Sequence, residues 1–155
     1  MKFFLIFTAT LLFAALQARL PTAWGLGGLR FEFLPALVAY GALSFRRPAC
    51  ALTLAAAAGL CQDALSAAPI GNSVAAYLVA TMAIAALGRA FDRHKLWMQM
   101  LAGAVASATA SCAALAVIGF SSAAPKLLAA ATLSAAVTPL LFLGLDFCAR
   151  RTSTA

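Results

Sequence analysis

Apolar runs of membrane-spanning length, separated only by short basic clusters, recur along the whole sequence. A helix needs about 20 consecutive apolar residues to cross the hydrocarbon core of a bilayer. Of the 155 residues, 65% are hydrophobic and only 10% are charged, whereas a typical soluble domain has about 25% charged residues. This pattern excludes an ordinary soluble protein and predicts an all-α, polytopic membrane protein with almost no extramembrane part.

Six apolar stretches are candidate helical spans, and nothing in the sequence marks a second domain. The predicted spans cover residues 3–18, 31–45, 48–68, 71–88, 96–120 and 127–148. We therefore expect one integral membrane domain over residues 1–155, a six-transmembrane-helix bundle with a short tail at 149–155. The first span also resembles a secretory signal. Because Leu16 is a poor residue for cleavage after Ala18, a retained anchor is favoured.

The lysines and arginines predict the orientation of these spans, because positively charged loops stay on the cytoplasmic side. With the N-terminus inside, the outer side receives only three cations, Arg19, Arg30 and Lys126. The inner side receives the other eight: Lys2, Arg46, Arg47, Arg89, Arg93, Lys95, Arg150 and Arg151. Both termini, including the tail at 149–155, are therefore predicted to be cytoplasmic.

Few residues of this chain are suited to catalysis, metal binding or nucleic-acid binding. It has four acidic residues and a single histidine, His94, scattered over both predicted membrane faces. Its four cysteines are too far apart in sequence for a zinc or redox motif. The net charge of +7 is divided among small clusters between apolar runs, which is not the basic stripe of a nucleic-acid surface. We predict no enzyme activity, no cofactor, no metal and no nucleic acid.

Asp63 is an exception within the apolar third span, in the segment GLCQDALSAAPIG. Counted from Pro48, it lies about 22 Å along the helix at 1.5 Å per residue. That position falls in the outer third of a core about 30 Å thick. Inserting a central aspartate costs about 2.5 to 3.5 kcal/mol, so such residues usually face the bundle interior and have a partner.

The tight turn that follows, APIGNS, predicts a partner for Asp63. It brings the N-terminus of the fourth span, with its unpaired N–H groups and positive dipole end, close to the carboxylate. Pro69 stops the third helix, and Gly71 permits backbone angles that other residues resist. Asn72 or Ser73 is the predicted N-cap of the fourth helix.

Other interpretations of Asp63 remain open at this stage. Arg19 or Arg30, on the same predicted side, is a candidate charge partner. The carboxylate is also a candidate for contact with another protein, or for a proton or cation path that involves Glu32.

The fifth span has small residues at every fourth position, which place them on common helix faces. Helices in membranes associate by close backbone packing at such residues. Packing inside the bundle and a surface for another membrane protein are the two alternatives. The two rows are Gly103, Ser107 and Ser111, and Ala104, Ala108 and Cys112.

Residues 34–80 resemble the MreD family of rod-shape-determining proteins. The shared pattern is an apolar span with a proline near its start, a basic turn, and a span that ends in GLxxD, a few small residues and P-[LI]-G. The matching positions here are Gly59, Leu60, Asp63, Pro69, Ile70 and Gly71, with Tyr77 in the next helix. The family often has an acid after the first proline, where this chain has Ala36 after Pro35.

The resemblance implies a non-enzymatic inner-membrane component of the bacterial cell-elongation machinery, with a role in cell shape and peptidoglycan synthesis. Its expected partners are MreC above all, then the MreB filament, the glycosyltransferase RodA, a penicillin-binding transpeptidase and membrane lipid. It also implies a six-helix fold similar to the substrate-binding subunits of energy-coupling-factor transporters. The alternative is therefore a small-molecule-binding transporter subunit, which requires polar groups that converge on a pocket. Gln62, Asp63, Asn72 and Glu32 are the few candidates for such a pocket.

Overall fold

The structure is a computed structural model that describes residues 2–19, 33–45, 47–65, 69–90, 95–118, 132, 136–145 and 147. Within these residues the chain forms six helices and no strand, which confirms the all-α prediction. Each helix lies in one of the six predicted spans or overlaps it closely. The helices are α1 (Lys2–Arg19), α2 (Leu34–Ser44), α3 (Pro48–Leu65), α4 (Asn72–Ala90), α5 (Leu96–Ile118) and α6 (Ala136–Leu145).

Three of these helices, α3, α4 and α5, are long and apolar enough to cross a membrane. By the length and composition of these helices, the chain is a membrane protein. The apolar stretches of α1, α2 and α6 are shorter. The six-span bundle therefore stays a prediction.

The central helix of the fold is α2. All of its residues from Leu34 to Leu43 are buried, and it packs against α1, α3, α4 and α5. The ring of Tyr40 also meets Phe142 of α6 edge to face, with the ring centroids 4.8 Å apart. A helix that is apolar all round is typically a buried one. The charge-free sequence LPALVAYGALS accordingly contacts all five of the other helices.

Hydrogen bonds between helix ends show that α1 to α5 alternate in direction. The side chain of Gln17, near the end of α1, accepts the N–H of Phe33, just before α2. It also bonds Gln62, near the end of α3. Asn72, at the start of α4, bonds the carbonyl oxygen of Ala113 towards the end of α5. Thus α1, α3 and α5 end where α2 and α4 begin.

The two ends of the molecule differ in chemistry. We call the end with Gln17, Gln62, Asp63 and Asn72 the polar end. We call the opposite end, which has the exposed cations Arg47, Arg89 and Lys95, the basic end. In the predicted topology the polar end faces outward and the basic end faces the cytoplasm.

Gly59 allows a very close approach of α3 and α4. A Cβ atom at this position would lie 2.5 Å from Val74 Cα and 2.7 Å from Val74 N. Since these neighbours are backbone atoms, they cannot rotate away as a side chain can. Close backbone packing at small residues is the means by which membrane helices associate. Gly59 is also four residues before Asp63, so both lie on the face of α3 that meets α4.

We predict that Gly59→Ala lowers the stability of the protein by about 1 to 3 kcal/mol, the usual range for overpacking. The measurement is thermal unfolding of the purified protein in detergent. Gly144→Ala is the matched control, because Gly144 is an exposed helical glycine with open space around its Cβ position. Alanine is a better helix former than glycine, so the control should unfold at or above the wild-type temperature. Equal unfolding temperatures for the two variants would contradict the close approach at Gly59.

Candidate functional site

Asp63, near the end of α3, is 3% exposed and binds the hairpin turn before α4. The Gly71 N–H donates to Asp63 Oδ2 at 2.7 Å, and the Ser73 N–H donates to Asp63 Oδ1 at 3.0 Å. The predicted contact between this carboxylate and the turn is therefore present. We call these two hydrogen bonds the Asp63 clamp.

The clamp supplies hydrogen-bond acceptors to the N-terminus of α4. The first N–H groups of a helix have no partner within the helix, and the helix dipole is positive at that end. Since α4 begins at Asn72, Gly71 occupies the N-cap position, and its carbonyl oxygen accepts the Ala75 N–H at 3.0 Å. Glycine has no side chain that can accept the remaining N–H groups. The carboxylate of α3 accepts two of them by charge-assisted hydrogen bonds, the stronger kind.

The prediction that Asn72 or Ser73 is the N-cap of α4 is wrong. Asn72 is the first residue of the helix, and its side-chain amide donates to the Ala113 carbonyl oxygen of α5 at 3.0 Å. Ser73 contributes its backbone N–H to Asp63. Because the Asp63 clamp already satisfies these N–H groups, the Asn72 side chain can join α4 to α5 instead.

The turn itself has the geometry that the clamp requires. Gly71 has a φ of +103°, a conformation that residues with a side chain rarely adopt. The carbonyl oxygen of Pro69 accepts the Asn72 N–H at 3.3 Å. The helix α3 ends at Leu65, before Pro69. The expectation that Gly71 takes unusual backbone angles is thus confirmed, and in this turn its N–H points to Asp63.

Gln17 is a residue of the polar end that was not predicted. Its Nε2 donates to Gln62 Oε1 at 3.3 Å, and its Oε1 accepts the Phe33 N–H at 3.3 Å. One amide group thus joins α1 to α3 and to the start of α2. The available signal was a polar side chain near the end of the first predicted span, in the same relative place as Gln62 in the third.

The small residues of α5 divide between the inside and the outside of the bundle. Gly103 and Ser107 are buried and Ser111 is half-buried, whereas Cys112 of the second row is exposed. The burial of Gly103 and Ser107 favours packing within the bundle over a partner surface for that row. In the second row, Ala104 and Ala108 are half-buried.

The arrangement around Asp63 is suited to holding a helix hairpin together. Both carboxylate oxygens accept backbone N–H groups, as expected of a structural contact. Across the part of the chain that the structure describes, no three His, Cys, Asp or Glu residues are grouped so that they could hold a metal ion. Glu32, Arg30 and His94 lie outside the described residues, so the path involving Glu32 and the charge partner Arg30 stay predictions.

We predict that Asp63→Ala lowers the free energy of unfolding by about 1 to 3 kcal/mol, because two buried N–H groups lose their acceptor. Asp63→Asn keeps one acceptor oxygen without the charge, so its loss should be smaller. Glu32→Gln should have little effect, since water can reach a residue at the interface. Thermal unfolding in detergent measures all three variants.

A proton or cation path would give the reverse pattern. Asp63→Asn would then impair function as much as Asp63→Ala, while the thermal stability of both variants stayed at the wild-type value. Wild-type stability of Asp63→Ala would therefore contradict the clamp.

Comparison with known proteins adds no relative from which function can be transferred. No protein-family model, no curated protein and no solved structure matches the chain.

Proposed function

We propose that the protein is a non-enzymatic scaffold of the bacterial cell-elongation complex, located in the inner membrane. The observation that carries the proposal is that the residues resembling the MreD motif serve one structure. Gly59 allows α3 and α4 to approach closely. Asp63 binds the turn, and Gly71 shapes it. A motif whose residues share one structural role supports the family resemblance more specifically than apolar composition does.

In this proposal six helices span the membrane, as a bundle similar to the substrate-binding subunits of energy-coupling-factor transporters. Both termini are cytoplasmic and the polar end faces outward. The distribution of charge supports this orientation. Arg47, Arg89 and Lys95 lie at the basic end, whereas Arg19 lies at the end of α1, at the polar end. The eight-to-three division of lysine and arginine over the whole sequence favours the same orientation.

The exposed tip of the clamped hairpin is the candidate surface for MreC. Ile70 follows Pro69 in the turn and is 86% exposed. The clamp ties Gly71 and Ser73, directly after this side chain, to α3, and so holds Ile70 in place. A preorganised apolar side chain loses little conformational entropy when it binds a partner. The clamp thus supports function by holding a contact residue, and it needs no chemistry of its own. MreB, RodA and a penicillin-binding transpeptidase complete the proposed set of partners.

The transporter alternative has weaker support. It needs polar groups that converge on an open pocket. Gln62 bonds Gln17, Asn72 bonds α5, and Asp63 bonds the turn. Three of the four candidate groups therefore already bond other parts of the protein, as in a packed bundle, and Glu32 lies outside the described residues.

We predict that depletion of the protein in a rod-shaped host makes the cells round up. When the Ile70→Ala variant is supplied to the depleted cells, it should restore the rod shape poorly. The variant should also retain less MreC in affinity purification, with thermal stability unchanged, because only the tip contact is lost. Leu96→Ala is the matched control, since Leu96 is an aliphatic side chain, 62% exposed, at the basic end. Normal cell width and length after several generations of depletion would refute the elongation role. Equal MreC retention by both variants would refute the tip contact.

The topology is tested separately. A periplasm-active phosphatase fused after Arg151 should be inactive, because the C-terminus is placed in the cytoplasm. The same enzyme inserted after Gly27, in the first predicted outer loop, is the positive control and should be active. Full activity of the fusion after Arg151 would contradict the six-span orientation.

A further inference from the structure

A cavity of about 480 Å³ lies at the basic end, between α2, α3 and α4. Its walls are mostly apolar, and among the described residues that line it Arg89 alone carries a charge. Thr81, the hydroxyl residue of the wall, already donates to the Tyr77 carbonyl oxygen. The cavity therefore combines an apolar interior with one cation. Apolar residues of the wall include Leu43, Phe45, Leu52, Met82 and Ala85.

The cavity follows α4, with Arg89 at one end. The lining residues of this helix run from Thr81 to Arg89, a rise of about 12 Å at 1.5 Å per residue. Arg89 is exposed and lies at the basic end, whereas Thr81 lies more than two helical turns deeper. A molecule that matches this order of residues has an anionic group at one end and an apolar chain behind it.

We propose that this cavity binds one anionic phospholipid, with its phosphate at Arg89 and an acyl chain against Leu52, Met82 and Ala85. The planar guanidinium of arginine matches the oxygens of a phosphate group by paired hydrogen bonds. The exposed cations Arg47 and Lys95 at the same end add to the positive field. Basic pockets between transmembrane helices on the cytoplasmic side are known to favour anionic headgroups.

The chemistry of the cavity favours a lipid over a partner helix. Its apolar walls end at one exposed cation, Arg89, and the exposed cations Arg47 and Lys95 lie at the same end of the molecule. An anionic headgroup joined to an apolar chain complements this arrangement. An acyl chain is thin and flexible and needs no polar group on the wall. The proposal does not depend on the scaffold function.

The test measures lipid retention by the purified full chain in a neutral detergent. Phosphatidylglycerol and phosphatidylcholine, with the same acyl chains, are added in equal amounts, and native mass spectrometry counts the bound lipids. We expect one phosphatidylglycerol to be retained in preference to phosphatidylcholine. Arg89→Gln should lower that preference about fivefold, the effect of one basic residue near an anionic lipid. Arg19→Gln removes the same charge at the polar end and should leave the preference unchanged.

A second pair of variants tests the acyl-chain site without any change of charge. Ala85→Phe fills the cavity and should lower phosphatidylglycerol retention, whereas Ala83→Phe, on the exposed side of α4, should retain it. Thermal unfolding of all variants shows which of them are folded, and Arg89→Gln tests the site even where Ala85→Phe fails to fold. Equal retention of the two lipids would overturn the proposal. An equal loss of phosphatidylglycerol preference in Arg19→Gln and Arg89→Gln would also overturn it. So would the finding that the purified wild type carries a bound protein, and not a lipid, that Ala85→Phe no longer retains.

Discussion

The contact between Asp63 and the turn before α4 solves two problems of a membrane protein at once. A buried carboxylate needs donors, and the first N–H groups of a helix need acceptors, because the bilayer core supplies no water. Either group alone would be costly to bury. Joined by two hydrogen bonds, they fix the end of α3 to the start of α4. The helices α1, α2 and α5 pack against this hairpin.

The clamp and the close packing of the hairpin depend on each other. Gly59 and Asp63 are about one helical turn apart on α3, so the separation of the helices at Gly59 sets the reach of the Asp63 carboxylate. A larger residue at Gly59 would push against the Val74 backbone and move the turn away from its acceptor. The short helix α2 then packs against this hairpin and also contacts α1, α5 and α6. The apolar core therefore forms around α2, beside a pair of helices that polar contacts hold in register.

Structural features that depend on residues close together in the sequence were predicted more fully than contacts between helices that are far apart in the chain. The helices follow from the length of the apolar runs, and the Asp63 contact follows from a proline and a glycine that close a short turn. The N-cap of α4 was mispredicted because its acceptor comes from another helix, which removes the need for a capping side chain at Asn72. Gln17 was missed because its role depends on a hydrogen bond to Gln62, which becomes a neighbour only when α1 packs against α3. The burial of α2 likewise depends on its contacts with five other helices. Hydrophobic periodicity in the sequence does not predict that number.

The two ends of the molecule differ in how far their polar groups are used. At the polar end, Gln17 bonds Gln62, Asp63 bonds the turn before α4, and Asn72 bonds α5. The exposed side chain of the turn is the apolar Ile70. At the basic end, Arg89 borders a cavity with apolar walls. The helix α4 joins the two ends over its 19 residues, a rise of about 28 Å. Hydrogen bonds and side-chain contacts act over a few ångströms, so we expect changes at Ile70 and at Arg89 to act independently. A change at Asp63 reaches the basic end only by altering the packing of α3 and α4, which both line the cavity.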